Sequence, residues 1–188
     1  FEFYISCSMA LPNGLTALHC AGTAVIGVGV LLQIVALATP NWTYGKYYKY
    51  FGDSKVKAGL WKFCVETFKC QDIPEEILTD EWNTAGAFAI LGMLAGLMAL
   101  SLTCIHFVLR IMAKPTNKIV NVVVLAACIA ACLCVVISTS CFGGGVYKQE
   151  DFDKEGQKIG YSLILSVVGG YLIGLGGVLF FVACVKYS

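Results

Sequence analysis

Four long stretches of this chain contain no Asp, Glu, Lys or Arg, at about residues 15–39, 84–109, 119–142 and 161–185. Each holds the roughly 20 apolar residues that one helix needs to cross a bilayer. Charged residues make up only 13 % of the 188-residue chain and hydrophobic residues 58 %. Such a composition excludes an ordinary soluble domain. We therefore predict an all-α membrane protein, with residues 1–188 forming a single four-span domain.

The missing charges also exclude a pathway for ions or protons through the spans. An ionisable group at mid-bilayer costs on the order of 3 kcal/mol and is usually kept only for such traffic. The polar residues that remain have structural explanations. We expect Gln33 to bond a neighbouring helix, His106 to lie near the membrane edge and Asn121 to open a span.

Residues for catalysis are scarce as well. The two histidines, His19 and His106, fall at the ends of the first two spans, far from the polar outer loops, so no catalytic triad can assemble. Cys128, Cys132 and Cys134 lie close together in the third span, but free cysteine in hydrocarbon behaves as a small hydrophobe, and no histidine or carboxylate accompanies them. The sequence predicts no enzyme, no metal site, no cofactor and no nucleic-acid partner.

Positive charge indicates which side of the membrane faces the cytosol. The short connection between the second and third spans carries Arg110, Lys114 and Lys118 without an acid, and a lysine follows the last span. Short loops rich in Lys and Arg face the cytosol. Both chain termini are therefore predicted to be cytoplasmic, with outer loops at about 40–83 and 143–160.

Cys64 and Cys70 support the same orientation. They are needed because the first outer loop, with six lysines and seven acids, weakens the argument from positive charge. A cysteine pair in a hydrated loop forms a lasting disulfide only in an oxidising compartment. Five residues separate the two cysteines, which is enough for adjacent antiparallel strands to turn back and bring the Cβ atoms within bridging distance. We predict a Cys64–Cys70 disulfide that stabilises the loop by about 2 kcal/mol.

The first outer loop is predicted to form a small antiparallel sheet. Residues 41–51 are rich in tyrosine and favour a first strand. Val56–Val65 favours a second extended segment, with Trp61 and Phe63 on the same face. A third short strand is expected to end at Cys70.

The segments that join this sheet to the spans give further expectations. Pro74 is expected to open a short helix, and Trp82 to act as an interfacial anchor ahead of the second span. Glycines 143–145 permit unusual backbone angles where the third span ends. Residues 146–148 are then expected to add one strand to the edge of the sheet.

Several residues are candidates for modification or for contact with other proteins. The sequon that begins at Asn41 is a glycosylation candidate, although it lies very near the end of the first span. Cys104 and Cys184 lie toward the cytoplasmic membrane edge and are palmitoylation candidates, with plain packing as the alternative. Tyr147 and Phe152 are the aromatic interaction candidates of the second outer loop.

Four spans together with one set of loop residues resemble the tetraspan superfamily of claudins, peripheral myelin protein, epithelial membrane proteins and the lens fibre intrinsic membrane protein. The residues that carry the resemblance are Trp42, Gly59, Leu60, Trp61, Cys64 and Cys70. The resemblance implies a left-handed four-transmembrane-helix bundle capped by a disulfide-stapled extracellular antiparallel β-sheet.

Within that superfamily the chain is most similar to the myelin, epithelial and lens branch. Cys64 and Cys70 are closer together than is usual in claudins, and Trp82 shortly precedes the second span. One position departs from the pattern, because relatives commonly carry an arginine just inside that span where this chain has Gly86. A role for that charge is therefore not expected here.

Small residues recur at the spacing that lets membrane helices approach closely. This spacing favours packing within one bundle, with association between protomers as the alternative. The pairs are Gly92 with Gly96, Ala127 with Ala131, and Gly170 with Gly174.

The resemblance implies three functions, of which we favour the first. The chain is expected to serve cell–cell adhesion, a junction or membrane organisation at the plasma membrane, through contacts with other membrane proteins or a second copy of itself. One alternative is an auxiliary, gamma-type subunit of a larger ion channel or receptor. The other is a claudin-type paracellular pore, for which the mixed charges of the first loop predict no clear ion selectivity.

Overall fold

The computed structural model describes residues 15–46, 55–65, 70–74, 78–112, 114, 118–146 and 158–186. Within these ranges the chain forms four α-helices and five short β-strands. Each helix is long and apolar enough to cross a membrane, so the prediction of four long apolar helices is confirmed. The helices are α1 (Ala17–Ala38), α2 (Asp80–Ile111), α3 (Lys118–Val146) and α4 (Tyr161–Lys186).

Helix α2 begins at Asp80, earlier than the predicted start of its span. Thr79 caps it, because its hydroxyl oxygen accepts a hydrogen bond from the backbone N–H of Trp82 at 3.4 Å. Such an oxygen satisfies one of the N–H groups that a helix N-terminus leaves without a partner. The acids Asp80 and Glu81 in the first turn complement the positive end of the helix dipole. The short helix predicted after Pro74 falls mainly on residues outside the described ranges.

Helix α3 continues through glycines 143–145 to Val146. The glycines do not use the unusual backbone angles that they permit, and the prediction of a strand beginning at Val146 is wrong. Near the membrane an α-helix satisfies its backbone polar groups internally, and this outweighs the roughly 1 kcal/mol that each glycine costs in a helix. Residues 147–148 of the predicted strand lie outside the described part of the chain.

Strands from both outer loops form one antiparallel sheet. The order of the strands in it is β4-β3-β2-β1-β5. Its second-loop strand is β5, which pairs Thr43 with Ile159 and Tyr44 with Lys158. The predicted small antiparallel sheet is confirmed in kind. Its strands are β1 (Thr43–Lys46), β2 (Lys55–Ala58), β3 (Lys62–Val65), β4 (Gln71–Asp72) and β5 (Lys158–Ile159).

Two details of the predicted sheet are wrong. The segment Val56–Val65 is not one strand, because the chain turns back at residues 59–61 and forms the antiparallel pair β2 and β3. The backbone N–H of Gly59 donates to the carbonyl oxygen of Lys62 at 2.8 Å and closes this turn. The third strand follows Cys70 as β4 instead of ending there.

The sheet belongs to a compact unit made of Leu32–Leu91 and Cys134–Val168. Gln33 and Ser166 connect α1 and α4 in this unit. The Gln33 Nε2 donates to the Ser166 carbonyl oxygen at 2.6 Å, and the Ser166 hydroxyl donates to Gln33 Oε1 at 3.1 Å. The predicted bond of Gln33 to a neighbouring helix is confirmed. The apolar core of the unit contains Trp42, Val56, Ala58, Leu60, Phe63, Val65, Trp82, Ala85, Ala89 and Phe142.

A second compact unit consists of Phe1–Leu31, Gly92–Leu133 and Gly169–Ser188. Its small residues allow close helix contacts: a Cβ on Gly29 would lie 2.7 Å from the Gly169 carbonyl oxygen, and one on Gly96 3.1 Å from Val30. These glycines therefore serve internal packing. The core of this unit contains Ile26, Val30, Ala99, Val124, Ala127, Cys128, Ala131, Ile173, Phe180 and Cys184.

Candidate functional site

Trp42 fixes the sheet to the end of α1. Its side chain is fully buried, and its indole N–H donates to the carbonyl oxygen of Ala36 at 2.8 Å. Its backbone N–H donates to the carbonyl oxygen of Ala58 at 2.8 Å, and its own carbonyl oxygen accepts from the backbone N–H of Gly160 at 2.9 Å. One residue thus connects α1, β2 and the segment that leads into α4.

Trp82 and Phe142 extend this buried aromatic cluster. The Phe142 ring lies edge-on to both indoles, with centroids 5.0 Å from Trp42 and 5.3 Å from Trp82. Trp82 is only 2 % exposed, and its indole N–H donates to the Leu60 carbonyl oxygen at 3.1 Å. The expectation of an interfacial anchor at Trp82 is therefore wrong, because its polar group is satisfied inside the protein.

The turn at residues 59–61 separates a buried side chain from an exposed one. A Cβ on Gly59 would lie 2.6 Å from the Pro40 Cα, so only glycine fits this approach. Leu60 is buried, whereas Trp61 is 46 % exposed and does not share the buried face of Phe63 as predicted. The Trp61 ring covers Gly86, where an added Cβ would lie 3.0 Å from it. An aromatic ring therefore lies over Gly86 in the second turn of α2.

The predicted disulfide is present. Cys64 lies in β3 and Cys70 directly precedes β4, and their sulfurs are bonded with a Cα–Cα distance of 4.1 Å. The bond joins two strands that are neighbours in the sheet. It therefore closes the end of the sheet that carries β4.

The described strands place more lysines than acids on the outward face of the sheet. Strand alternation buries Val56 and Ala58 and exposes the two lysines of β2. The register then sets Lys57 opposite Tyr44, and Tyr44 opposite Lys158. Asp72, opposite Lys62, is the one acid that the described strands contribute to this face. We name it the lysine face; its exposed side chains in the described strands are Tyr44, Lys55, Lys57, Lys62, Lys158 and the single acid Asp72.

The sequence does not predict the lysine face, because the six lysines and seven acids of the first loop give only a mixed total charge. Residues 55–58 alternate lysine with an apolar residue, which is the pattern of a strand with one wet face. A single strand over Val56–Val65 would not separate this alternation from the strand that follows the turn. Lys158 joins the face only through the pairing of β5 with β1.

The other candidate residues lie outside the lysine face or outside the described part of the chain. Tyr147 and Phe152 lie outside the described ranges, so their contact role stays a prediction. Asn41 lies between α1 and β1, half-buried, with its carbonyl oxygen accepting from the Ser162 N–H at 3.1 Å. Its glycosylation also stays a prediction, which a glycosidase-sensitive mass shift lost in Asn41→Gln would test. Cys104 is exposed and Cys184 is buried.

A second polar cluster lies in the other compact unit. His19, His106 and Cys184 come from α1, α2 and α4, and their ligand atoms lie within 4.8 Å of one another. The sequence shows each of these residues at the same end of its span, but it gives no rotation of the helices. Their convergence therefore had no sequence signal.

Comparison with known proteins bears on the whole fold. A model of the PMP-22/EMP/MP20/Claudin family matches residues 16–180. This range includes the sheet and nearly all of the four helices. Among curated proteins, none matches the chain.

Proposed function

Because this chain belongs to the PMP-22/EMP/MP20/claudin family, we propose that it is a non-enzymatic tetraspan protein of cell–cell contacts. It acts through the two loops that build its sheet. The bilayer holds the four spans, and the sheet meets a partner membrane protein. The site of action is the plasma membrane at cell junctions.

The disulfide and the charged connection support an orientation with the sheet outside the cell. A lasting Cys64–Cys70 bond requires an oxidising compartment. The connection between α2 and α3 carries Arg110, Lys114 and Lys118, as cytoplasmic loops commonly do. Both termini are then cytoplasmic, and the lysine face is available to other cells or to neighbours in the same membrane.

The lysine face is the observation that carries the contact function. Complementary charge steers two protein surfaces together and suppresses wrong partners. An exposed tyrosine among the lysines adds an amphipathic side chain of the type enriched in interfaces. We expect a membrane-protein partner that presents an acidic surface. Direct self-contact of two lysine faces is disfavoured, because like charges opposite each other repel.

Mosaic cultures test this function. The fluorescently tagged chain is expressed in some cells of an adherent layer, and its concentration at cell–cell borders is compared with that at free edges. The test variant replaces Lys55, Lys57, Lys62 and Lys158 by Gln, and the matched control replaces the same four by Arg. We expect the parent and the Arg variant to concentrate at borders and the Gln variant to lose several-fold of that enrichment.

Surface biotinylation establishes that all three proteins reach the plasma membrane in equal amounts. Equal border enrichment of the Gln and Arg variants contradicts the role of the lysine face. Absence of border enrichment in the parent contradicts the contact function itself. Recovery of a stoichiometric larger channel with the chain from native membranes would instead favour an auxiliary subunit.

A paracellular pore is the second candidate, and the lysine face is what favours it. Rings of basic side chains select anions, so lysines along a paracellular path would give an anion preference. This differs from the lack of selectivity that the mixed loop charges predict. Dilution potentials across an epithelial layer that expresses the chain measure this preference. An unchanged ion preference counts against the pore.

A further inference from the structure

We propose that His19, His106 and Cys184 form a binding site for a zinc ion that connects α1, α2 and α4. All three side chains are buried, at 1 %, 1 % and 2 % exposure. Their ligand atoms lie within 4.8 Å of one another. Two imidazole nitrogens and one sulfur are a ligand set that suits zinc, which takes three protein ligands and one further group in its open sites.

The orphaned histidine nitrogens are the first argument for a ligand here. His19 Nε2 and both ring nitrogens of His106 are buried without a hydrogen-bond partner. A buried polar group without a partner costs about 1–3 kcal/mol. One ring nitrogen of each histidine lies within 4.8 Å of the Cys184 sulfur, and His19 Nε2 has no hydrogen-bond partner within the described chain.

Thr16 supplies the orientation that metal-binding histidines usually have. Its hydroxyl lies 2.8 Å from His19 Nδ1. When Nδ1 carries the proton and donates to this hydroxyl, the lone pair of Nε2 is left for a metal. The backbone N–H of Thr16 also donates to Nδ1, at 3.3 Å, in the tautomer that carries its proton on Nε2; zinc binding therefore selects the tautomer with the proton on Nδ1.

Ring packing holds the two imidazoles together. They are stacked with centroids 5.8 Å apart and an interplanar angle of 20°. The Phe180 ring lies edge-on to both, at 5.6 Å from His19 and 5.2 Å from His106. In a tetrahedral zinc site the ligand atoms are roughly 3.5 Å apart. Because the lone pair of each nitrogen lies in its ring plane, zinc binding requires at least one of the two imidazoles to rotate out of this stack, together with a closer approach of the ligand atoms.

Two further side chains face the cluster. Asn121 from α3 is close enough to His106 to act as its hydrogen-bond partner, although neither Asn121 Oδ1 nor a ring nitrogen of His106 makes a well-aligned hydrogen bond. Arg110 acts electrostatically on His19, His106 and Cys184. Its positive charge opposes a bare cation, and a thiolate ligand offsets that opposition. This favours an ion bound through Cys184 over one bound by imidazoles alone.

The test uses the full chain, purified without a metal-affinity tag and placed in lipid nanodiscs. Elemental mass spectrometry measures bound zinc, and titration with Zn²⁺ against a fluorescent chelator measures affinity. We expect about one zinc per chain. Cys184→Ser should weaken zinc affinity at least about 100-fold, since even the outer partners of ligands contribute 10- to 100-fold. The matched control is Cys104→Ser, an exposed cysteine of α2.

Cobalt provides a readout that does not depend on a variant. Co²⁺ added to the zinc-stripped parent should give a thiolate-to-cobalt charge-transfer absorption, which Zn²⁺ abolishes. The intact Cys64–Cys70 disulfide and a monodisperse particle show that each variant is folded. Absence of zinc binding and of the cobalt absorption in the parent overturns the proposal. So does equal zinc affinity in Cys184→Ser and the parent, or retention of Cu⁺ or Ni²⁺ in place of zinc.

Discussion

The indole N–H of Trp82 donates to the carbonyl oxygen of Leu60 at 3.1 Å, within the aromatic cluster beneath the sheet. Trp82→Phe keeps an aromatic ring but leaves that buried carbonyl without its donor. We expect a loss of about 1–3 kcal/mol in the free energy of unfolding, measured by thermal unfolding in detergent. The control is Trp61→Phe at an exposed position, which should change stability by less than about 0.5 kcal/mol. Equal losses in the two variants contradict this assignment.

Gln33 and Ser166 give a second prediction, since two hydrogen bonds connect them across α1 and α4. Gln33→Leu should destabilise the protein by about 1 kcal/mol, as is typical of polar contacts between membrane helices. A double-mutant cycle with Ser166→Ala measures the side-chain part of this coupling. Ser101→Ala serves as the control, because that hydroxyl bonds Leu97 of its own helix at 2.8 Å. If the losses of stability in Gln33→Leu and Ser166→Ala simply add in the double variant, the two side chains are not coupled and the prediction is contradicted.

Glycine packing between α1 and α4 gives a third prediction. Gly29→Ala places a methyl group 2.7 Å from the Gly169 carbonyl oxygen and should cost about 1–3 kcal/mol. At Gly144 an added Cβ meets nothing within 4 Å. Gly144→Ala should therefore stabilise α3 by about 0.5–1 kcal/mol. Thermal unfolding of both variants measures these changes in stability. A stabilising effect of Gly29→Ala would contradict the close contact between α1 and α4 at Gly29.

The two palmitoylation candidates differ in accessibility, which gives a fourth prediction. Cys104 is exposed on α2, whereas Cys184 is buried. We expect palmitate on Cys104 and none on Cys184. Acyl exchange with a mass tag should lose its signal in Cys104→Ser and keep it in Cys184→Ser. The reverse pattern contradicts the burial of Cys184.

The sequence predicts the features that depend on composition and on local spacing. The four charge-free runs locate the helices, because a bilayer demands about 20 apolar residues per span. Cys64 and Cys70 are close enough along the chain that any tight return of the strand brings them together. The tyrosine-rich residues 41–51 and the segment Val56–Val65 predict the sheet. Trp42 and the residues around Gly59 predict the family, which implies the same sheet.

Features that depend on packing between distant segments are not predicted. Trp82 has the sequence context of an interfacial residue, and only the position of Leu60 shows that its N–H is satisfied inside the protein. Strand β5 comes from the second loop, and its two residues carry no strand signal of their own. The cluster of His19 with His106 depends on helix rotation, which apolar runs do not specify.

A disulfide-stapled sheet on the outer surface of the cell is the central claim, and thiol labelling of intact cells tests it most directly. A membrane-impermeant maleimide is applied with and without prior mild reduction, and peptide mapping by mass spectrometry locates the label. We predict that Cys64 and Cys70 are labelled only after reduction. Labelling of either residue without reduction, or of neither after reduction, would contradict the account.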